Sequence, residues 1–302
     1  MSWIPGLYKS PLRYPGGKGR IANYVKVLML ENGLVGRDYV EPYAGGASVA
    51  LELLFEDYAD VVHINDLNHG VFAFWQSVLT ATEELCERVA STPVTMREWH
   101  RQREIARDPT AMLLDAGFAT LFLNRTNRSG IISGGVIGGK EQSGEWKLDA
   151  RFNRTDLIQR IRKIGRHRSR ITLSNEDAAS FLHPWLKEDA PSAFIYLDPP
   201  YFVKGRGLYD NFYGPEDHAD LAALVRRLAH PWIVSYDAVP EILRLYEGFD
   251  AVRYSLSYSA NTRGLGSEVM FFSPDITQAD FPPSGVPLDE LISARMAQSG
   301  LT

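Results

Sequence analysis

Cysteine is nearly absent from this chain: Cys86 is the only one in 302 residues. It excludes an internal disulfide and suits a reducing, cytoplasmic setting. The seven histidines show no HxxH or HExxH spacing, so no metal site is expected. No apolar run approaches the roughly 18 residues of a membrane span, and none is expected. The opening "MSWIPGLYKSPLRYPGG" lacks the basic start and apolar core of a secretory signal. Internal repeats and low-complexity segments are also missing, which sets aside solenoid and disordered classes. A general coat of positive charge is lacking too, since the formal net charge is −5. Any nucleic-acid contact must then come from a local basic cleft.

What is present has the rhythm of an α/β protein. "YVEPYAG" reads as a strand over Arg37 to Pro42 breaking into a glycine turn, followed by the helical "SVALELLFE" with Ser48 as its expected N-cap. "DVVHIND" is a second strand ending in acid, and "GVFAFWQSVLT" a second helix. Strand and helix alternating at this spacing predict a parallel sheet. From about Glu83 to Leu123 the periodicity is helical throughout, and a long glycine-rich loop, "NRSGIISGGVIGGKEQSGEW", follows. Loops of that length tend to be functional or disordered. The alternation resumes with "RITLSN", "AFIYLD", "PEDHADLAALVRRLA", "PWIVSYD", "AVRYSLSY" and "EVMFFS". This predicts a catalytic α/β domain over residues 1–80 and 166–280, a mainly helical insertion over 81–165 and a proline-led tail over 281–302.

Three short stretches carry chemistry. In "EPYAGGAS" a strand hands over to a helix through glycines that let a backbone approach a ligand. Asp66 closes the next strand, where an acid characteristically accepts hydrogen bonds from ribose hydroxyls. Glu41, Pro42, Gly45 and Asp66 are therefore candidates for holding a nucleoside-containing cofactor. The turn is not G-x-G-x-x-G, which disfavours a nicotinamide dinucleotide. "RYPGGK" adds an aromatic, Tyr14, and a cation, Lys18, on a tight turn. In "IYLDPPYF" an apolar strand ends in Asp198, two prolines and Tyr201. Proline donates no hydrogen bond and fixes φ near −65°, so Asp198 and the carbonyl of Pro199, held rigid by Pro200, present two acceptors side by side. A planar NH2 group matches them, and Tyr201 offers a flat face to a heterocycle.

"YPGGK", "EPYAGGAS", "NDLN", "FLNRTNRSG" and "LDPPYF" stand in an order that resembles the Dam-type DNA adenine-N6 methyltransferases, over about Pro11 to Pro274. The resemblance implies a Rossmann-like, S-adenosylmethionine-dependent methyltransferase sheet carrying an inserted target-recognition domain. It implies methyl transfer to the N6 amino group of an adenine flipped out of duplex DNA. Tyr14, Lys18, Asp66 and Asp198 are implied as contacts to S-adenosylmethionine, Asp177 in "SNEDAASF" as a contact to its adenine, and Asp198 to Tyr201 as the catalytic motif.

The insertion then becomes a candidate DNA reader. "NRTNRSG" offers Arg125, Asn127 and Arg128, residue types suited to phosphates and base edges. The run "RFNRTDLIQRIRKIGRHRSR", with Arg151 and Arg154 at its head and Asp156 as its only acid, would neutralise the DNA backbone. Lys204 and Arg206 follow the catalytic motif closely enough to grip flanking phosphates. After "NRTN" the chain departs from the GATC-modifying members, so their target does not transfer. Cytosine-N4 or RNA adenine methylation, a catalytically silent DNA-binding relative and a nicotinamide oxidoreductase are the rival readings. A partner of a restriction endonuclease, a solitary regulatory enzyme and a phage-borne enzyme all fit the sequence.

Overall fold

The apolar strands pair into one seven-stranded sheet in the order β3-β2-β1-β4-β5-β7-β6. The computed structural model describes residues 10–13, 19, 21–203, 213–257, 265–280 and 282–283. Tyr14, Lys18, Lys204, Arg206 and nearly all of the 281–302 tail lie outside these described residues. The strands are β1 (Arg37–Glu41), β2 (Ala59–Asn65), β3 (Ile171–Ser174), β4 (Ala193–Leu197), β5 (Trp232–Asp237), β6 (Ala251–Ser257) and β7 (Leu265–Phe272). β1 to β5 pair in parallel, and β7 inserts antiparallel between β5 and β6.

Side-chain alternation explains why β4 can be apolar along its whole length. Phe194 and Tyr196 face one core cluster, while Ala193, Ile195 and Leu197 face the other. A strand buried on both faces needs helices on both faces of the sheet. One layer is formed by α1 (Ala22–Glu31), α2 (Ser48–Phe55) and α3 (His69–Thr80). The other holds α8 (Ala178–Leu182), α9 (Pro215–Val225) and α10 (Pro240–Leu245).

Residues 81–165 contain α4 (Thr82–Ser91), α5 (Met96–Ile105), α6 (Leu113–Thr126) and most of α7 (Arg154–Arg166). Leu85, Trp99, Phe118, Phe122 and Ile161 from these helices join the same core cluster as Val49, Phe74 and Tyr39 of the sheet layer. The approach of α6 to α3 is very close: a Cβ on Gly117 would lie 2.5 Å from the Ala73 carbonyl oxygen and 2.6 Å from the Ser77 hydroxyl. Only glycine fits there.

The expected N-cap Ser48 is instead the first helical residue of α2. Ala47 caps with no side-chain bond, at φ +47°. The orphan amide of Ala50 is satisfied from a distance, by the Glu41 carboxylate at 3.2 Å. A local capping rule gave way to a longer-range acceptor on β1.

Candidate active site

The parallel strands β3, β2, β1, β4 and β5 end along one edge, and each end carries an acid: Asp177, Asp66, Glu41, Asp198 and Asp237. Glu41 and Asp66 are both within reach of the same electrostatic neighbourhood. Burial pushes the Glu41 carboxyl up to about 8; the Ala50 N–H opposes this, and the charges of Asp198 and Asp66 reinforce it. Burial likewise raises Asp66 to about 6, against hydrogen bonds from the Asn68 and Gly45 amides.

Those two bonds define what Asp66 does in the fold. Its oxygens accept from Gly45 N–H at 2.8 Å and Asn68 N–H at 2.9 Å. The Gly45 amide is thus engaged within the protein rather than pointed at a ligand, and Asp66 staples the glycine turn to the end of β2. The Gly45 carbonyl in turn accepts from the Trp75 indole at 2.9 Å. Pro42 contributes its carbonyl to Asn65, whose amide also reaches the Glu176 carbonyl, at 3.0 and 2.9 Å. Asn65 is 1% exposed and ties the ends of β1, β2 and β3 together. Asp177 is exposed and caps α8, accepting from the amides of Ala179 and Ser180. The Ser180 hydroxyl, foremost, holds its carboxyl below the usual range.

Asp198 follows β4 and is half-buried. Its Oδ1 accepts from the Ser235 hydroxyl of β5 at 2.8 Å, and that hydroxyl lies 2.8 Å from the Tyr196 hydroxyl. Since the serine proton goes to the carboxylate, Tyr196 donates to Ser235. The chain Tyr196, Ser235, Asp198 fixes the plane of the carboxylate. Pro199 and Pro200 come next, without amide protons. Tyr201 is 6% exposed, and its hydroxyl donates to Glu268. Stacking on the Tyr201 face therefore requires its present cover to move aside. Asp237 takes the next two amides, of Phe202 at 3.0 Å and Val203 at 3.1 Å.

The basic residues are placed less as their type suggests. Arg125 is buried, and its Nε donates to the Pro11 carbonyl at 2.7 Å. Burial first, then Arg160, Arg13 and Arg151, lower its pKa to about 9 against the opposing charge of Asp156. Asn127 is fully buried: it accepts from the Trp99 indole and donates to the carbonyls of Ile131 and Ile132. Arg154 donates to the carbonyls of Val89 and Thr92. Asn127 and Arg154 tie the 81–165 region internally and Arg125 ties it to Pro11, which revises the expectation that these three face DNA. Arg128 and Arg151 are exposed. Further along the run, Arg162 grips Glu83, Arg160 grips Asp156 and Arg170 grips Asp57. Neighbouring Asn124, 1% exposed, binds both backbone groups of Arg13 at 2.7 and 2.6 Å and the Gly130 carbonyl at 2.8 Å.

Ser235, Glu268, Asp237 and Asn65 escaped the sequence reading. The available signal was a polar residue placed inside an apolar strand, as in "WIVSYD" and "EVMFFS".

A sheet of this order, with its seventh strand reversed and acids at the ends of the parallel strands, is a Rossmann-like α/β arrangement with a ligand-binding edge. The profile of the D12 class N6 adenine-specific DNA methyltransferase family matches residues 14–259. The chain belongs to that family and is an adenine-specific DNA methyltransferase. Among solved structures, the rRNA methyltransferase aviRa from Streptomyces viridochromogenes is similar at 14% identity, over 80% of this chain and 78% of that chain, with a TM-score of 0.33. No curated protein matches. Among the described residues, no helix is long and apolar enough to cross a membrane, and no cluster of His, Cys, Asp and Glu is grouped to hold a metal.

Proposed function

We propose that the strand-end acids form the S-adenosylmethionine site and that Asp198 to Tyr201 receive an adenine flipped out of duplex DNA. The donor set suits the cofactor: Glu41, Asp66 and Asp198 are carboxylates, and two of them are costly to ionise where they stand. A cationic guest relieves that cost. When bound, S-adenosylmethionine supplies an electrophilic methyl carbon. Asp66, Glu41 and the turn at Gly45 and Pro42 would hold it, together with Asp177, Tyr14 and Lys18.

The observation that carries the reading is the fixed Asp198 carboxylate beside a dipeptide with no amide proton. An exocyclic amine is a weak nucleophile because its lone pair is delocalised into the ring. Two acceptors held in place, the Asp198 carboxylate and the Pro199 carbonyl, favour the pyramidal amine and stabilise the positive charge that develops on nitrogen. Ser235 keeps the first of these acceptors oriented before substrate arrives, and orientation is a large part of such rate gains. Asp198 need not be a strong base, because the proton leaves after the new N–C bond forms. A target inside a duplex cannot reach this point without leaving the stack. Arg128 and Arg151, with Lys204 and Arg206, would hold the phosphates around it.

Expression in a host free of DNA methylation, followed by genome-wide mapping of modified bases, tests the reading. N6-methyladenine at a defined motif is the expected product; N4-methylcytosine or no modification would reject it. Asp198→Ala should keep measurable cofactor binding and lose methyl transfer, and substantial residual turnover would reject the mechanism.

A further inference from the structure

β7 places a carboxylate, Glu268, in the protein interior at 1% exposure. Its Oε1 accepts from the Tyr201 hydroxyl, and its Oε2 from the Tyr254 hydroxyl at 2.9 Å. Both tyrosines are themselves buried, at 6% and 5% exposure. A carboxylate in such a place is expensive unless its oxygens are hydrogen-bonded. It is also the one side chain that accepts on both sides and donates on neither. Two phenol donors converging on one point call for that property.

The neighbouring strand shows the same design. Glu268 sits opposite Asp237 of β5 and opposite Tyr254 of β6. Asp237 grips the backbone amides of Phe202 and Val203, while Glu268 grips the side chain of Tyr201. Two carboxylates that are cross-strand partners therefore hold one three-residue stretch, immediately after the Pro199–Pro200 pair. The Tyr201 side chain is pinned at both ends, its Cα by the prolines and the Asp237 bonds, its hydroxyl by Glu268. The bond at the hydroxyl stops the ring swinging about χ1, and close burial of the ring holds its plane about χ2. Burial keeps the phenol's pKa well above its ordinary value, so it remains a donor.

We infer that Glu268 is a positioning residue which, with Tyr254, fixes the ring of Tyr201 and so the surface against which the extruded adenine packs. The inference rests on the base-flipping reading proposed above.

The test uses the full-length enzyme, S-adenosylmethionine and a duplex bearing its mapped target, with 2-aminopurine replacing the target adenine for fluorescence. Glu268→Gln leaves one acceptor oxygen where two stood. Tyr201→Phe removes the same bond from the other end and keeps the ring. Each should lower the single-turnover methylation rate about 10–100-fold and shrink the 2-aminopurine signal, with cofactor Kd unchanged within about twofold. The double variant should be no slower than the worse single one, the mark of a shared interaction. Tyr254→Phe, which leaves the Tyr201 bond in place, should cost less than either.

A wild-type rate and fluorescence signal in Glu268→Gln would overturn the inference, as would losses that multiply in the double variant. If Glu268→Gln does not fold, Tyr201→Phe decides alone, and wild-type turnover there overturns it. Wild-type enzyme that methylates adenine without any 2-aminopurine response would count against base flipping, a different failure.

Discussion

Ser235→Ala removes one hydroxyl and should damage the protein in two separable ways. That hydroxyl donates to Asp198 and accepts from Tyr196, each at 2.8 Å, and both Ser235 and Tyr196 are fully buried. Losing a hydrogen bond to a charged group costs about 1.5–3 kcal/mol, and the stranded Tyr196 hydroxyl adds about 1–3 kcal/mol of unmet desolvation. Allowing for partial relaxation, we expect roughly 2–4 kcal/mol of lost stability. At about 2 °C per kcal/mol for a large domain, the melting temperature should fall roughly 4–8 °C. Activity should fall as well, by about 10–100-fold in kcat, because Asp198 is no longer held in one plane. The companion variant Tyr196→Phe/Ser235→Ala separates the two effects. Deleting both partners of a buried bond is close to neutral, so stability should return towards wild type while kcat stays low. Tyr196→Phe alone should keep near-normal kcat, since Ser235 still donates to Asp198. Calorimetric melting with single-turnover methylation on the same preparations reads both quantities. Wild-type kcat in Ser235→Ala, or recovery of kcat in the double variant, would refute the orientation argument.

Other perturbations probe different parts of the molecule. A carboxyl whose folded pKa stands above its unfolded one stabilises the fold only while protonated. Asp66 and Glu41, raised from 3.8 to about 6 and from 4.5 to about 8, should therefore contribute their full stabilisation to the cofactor-free protein only below about pH 4. That stability should be lost as pH rises through 6 and then 8, by up to about 3 kcal/mol for Asp66; melting curves across pH check this, and Asp66→Asn should flatten the first step. Asp66→Ala should weaken S-adenosylmethionine binding about tenfold or more by calorimetry. Gly117→Ala forces a methyl against the Ala73 carbonyl and should cost about 1–3 kcal/mol, seen as a lower urea midpoint at unchanged slope. Charge reversal of Arg128 and Arg151 together should weaken DNA binding and reduce the salt slope by about 0.9 per lost phosphate contact, with cofactor affinity intact. Arg125→Ala should instead lower the melting temperature, because its guanidinium holds the Pro11 carbonyl inside the protein.

Four of the five parallel strands, β1, β2, β4 and β5, were legible in the sequence because each is an apolar run stopped by an acid, and strand period and burial coincide there. The placement of Asp198 and Asp66 at strand ends was legible for the same reason. What holds them was not. Ser235 lies 37 residues from Asp198, and Glu268 lies 67 from Tyr201, so only the sheet order brings them together. Arginine and asparagine in a loop read as DNA contacts by type, yet side-chain direction decides, and Arg125, Asn127 and Arg154 turn inward to backbone carbonyls. The helical character of residues 83–123 was readable from their periodicity. Their fusion with the sheet's core was not, because that depends on which faces of α3 and α6 meet at Gly117.

The Asn124 amide has a practical consequence for anyone wishing to retarget the enzyme. It clips the segment at Arg13 to the start of the glycine-rich loop, so any loop grafted in its place must bring a matching carbonyl at the place of Gly130. Splice points chosen downstream of that glycine leave the clip whole. Cuts made upstream would unfasten Arg13 from the loop.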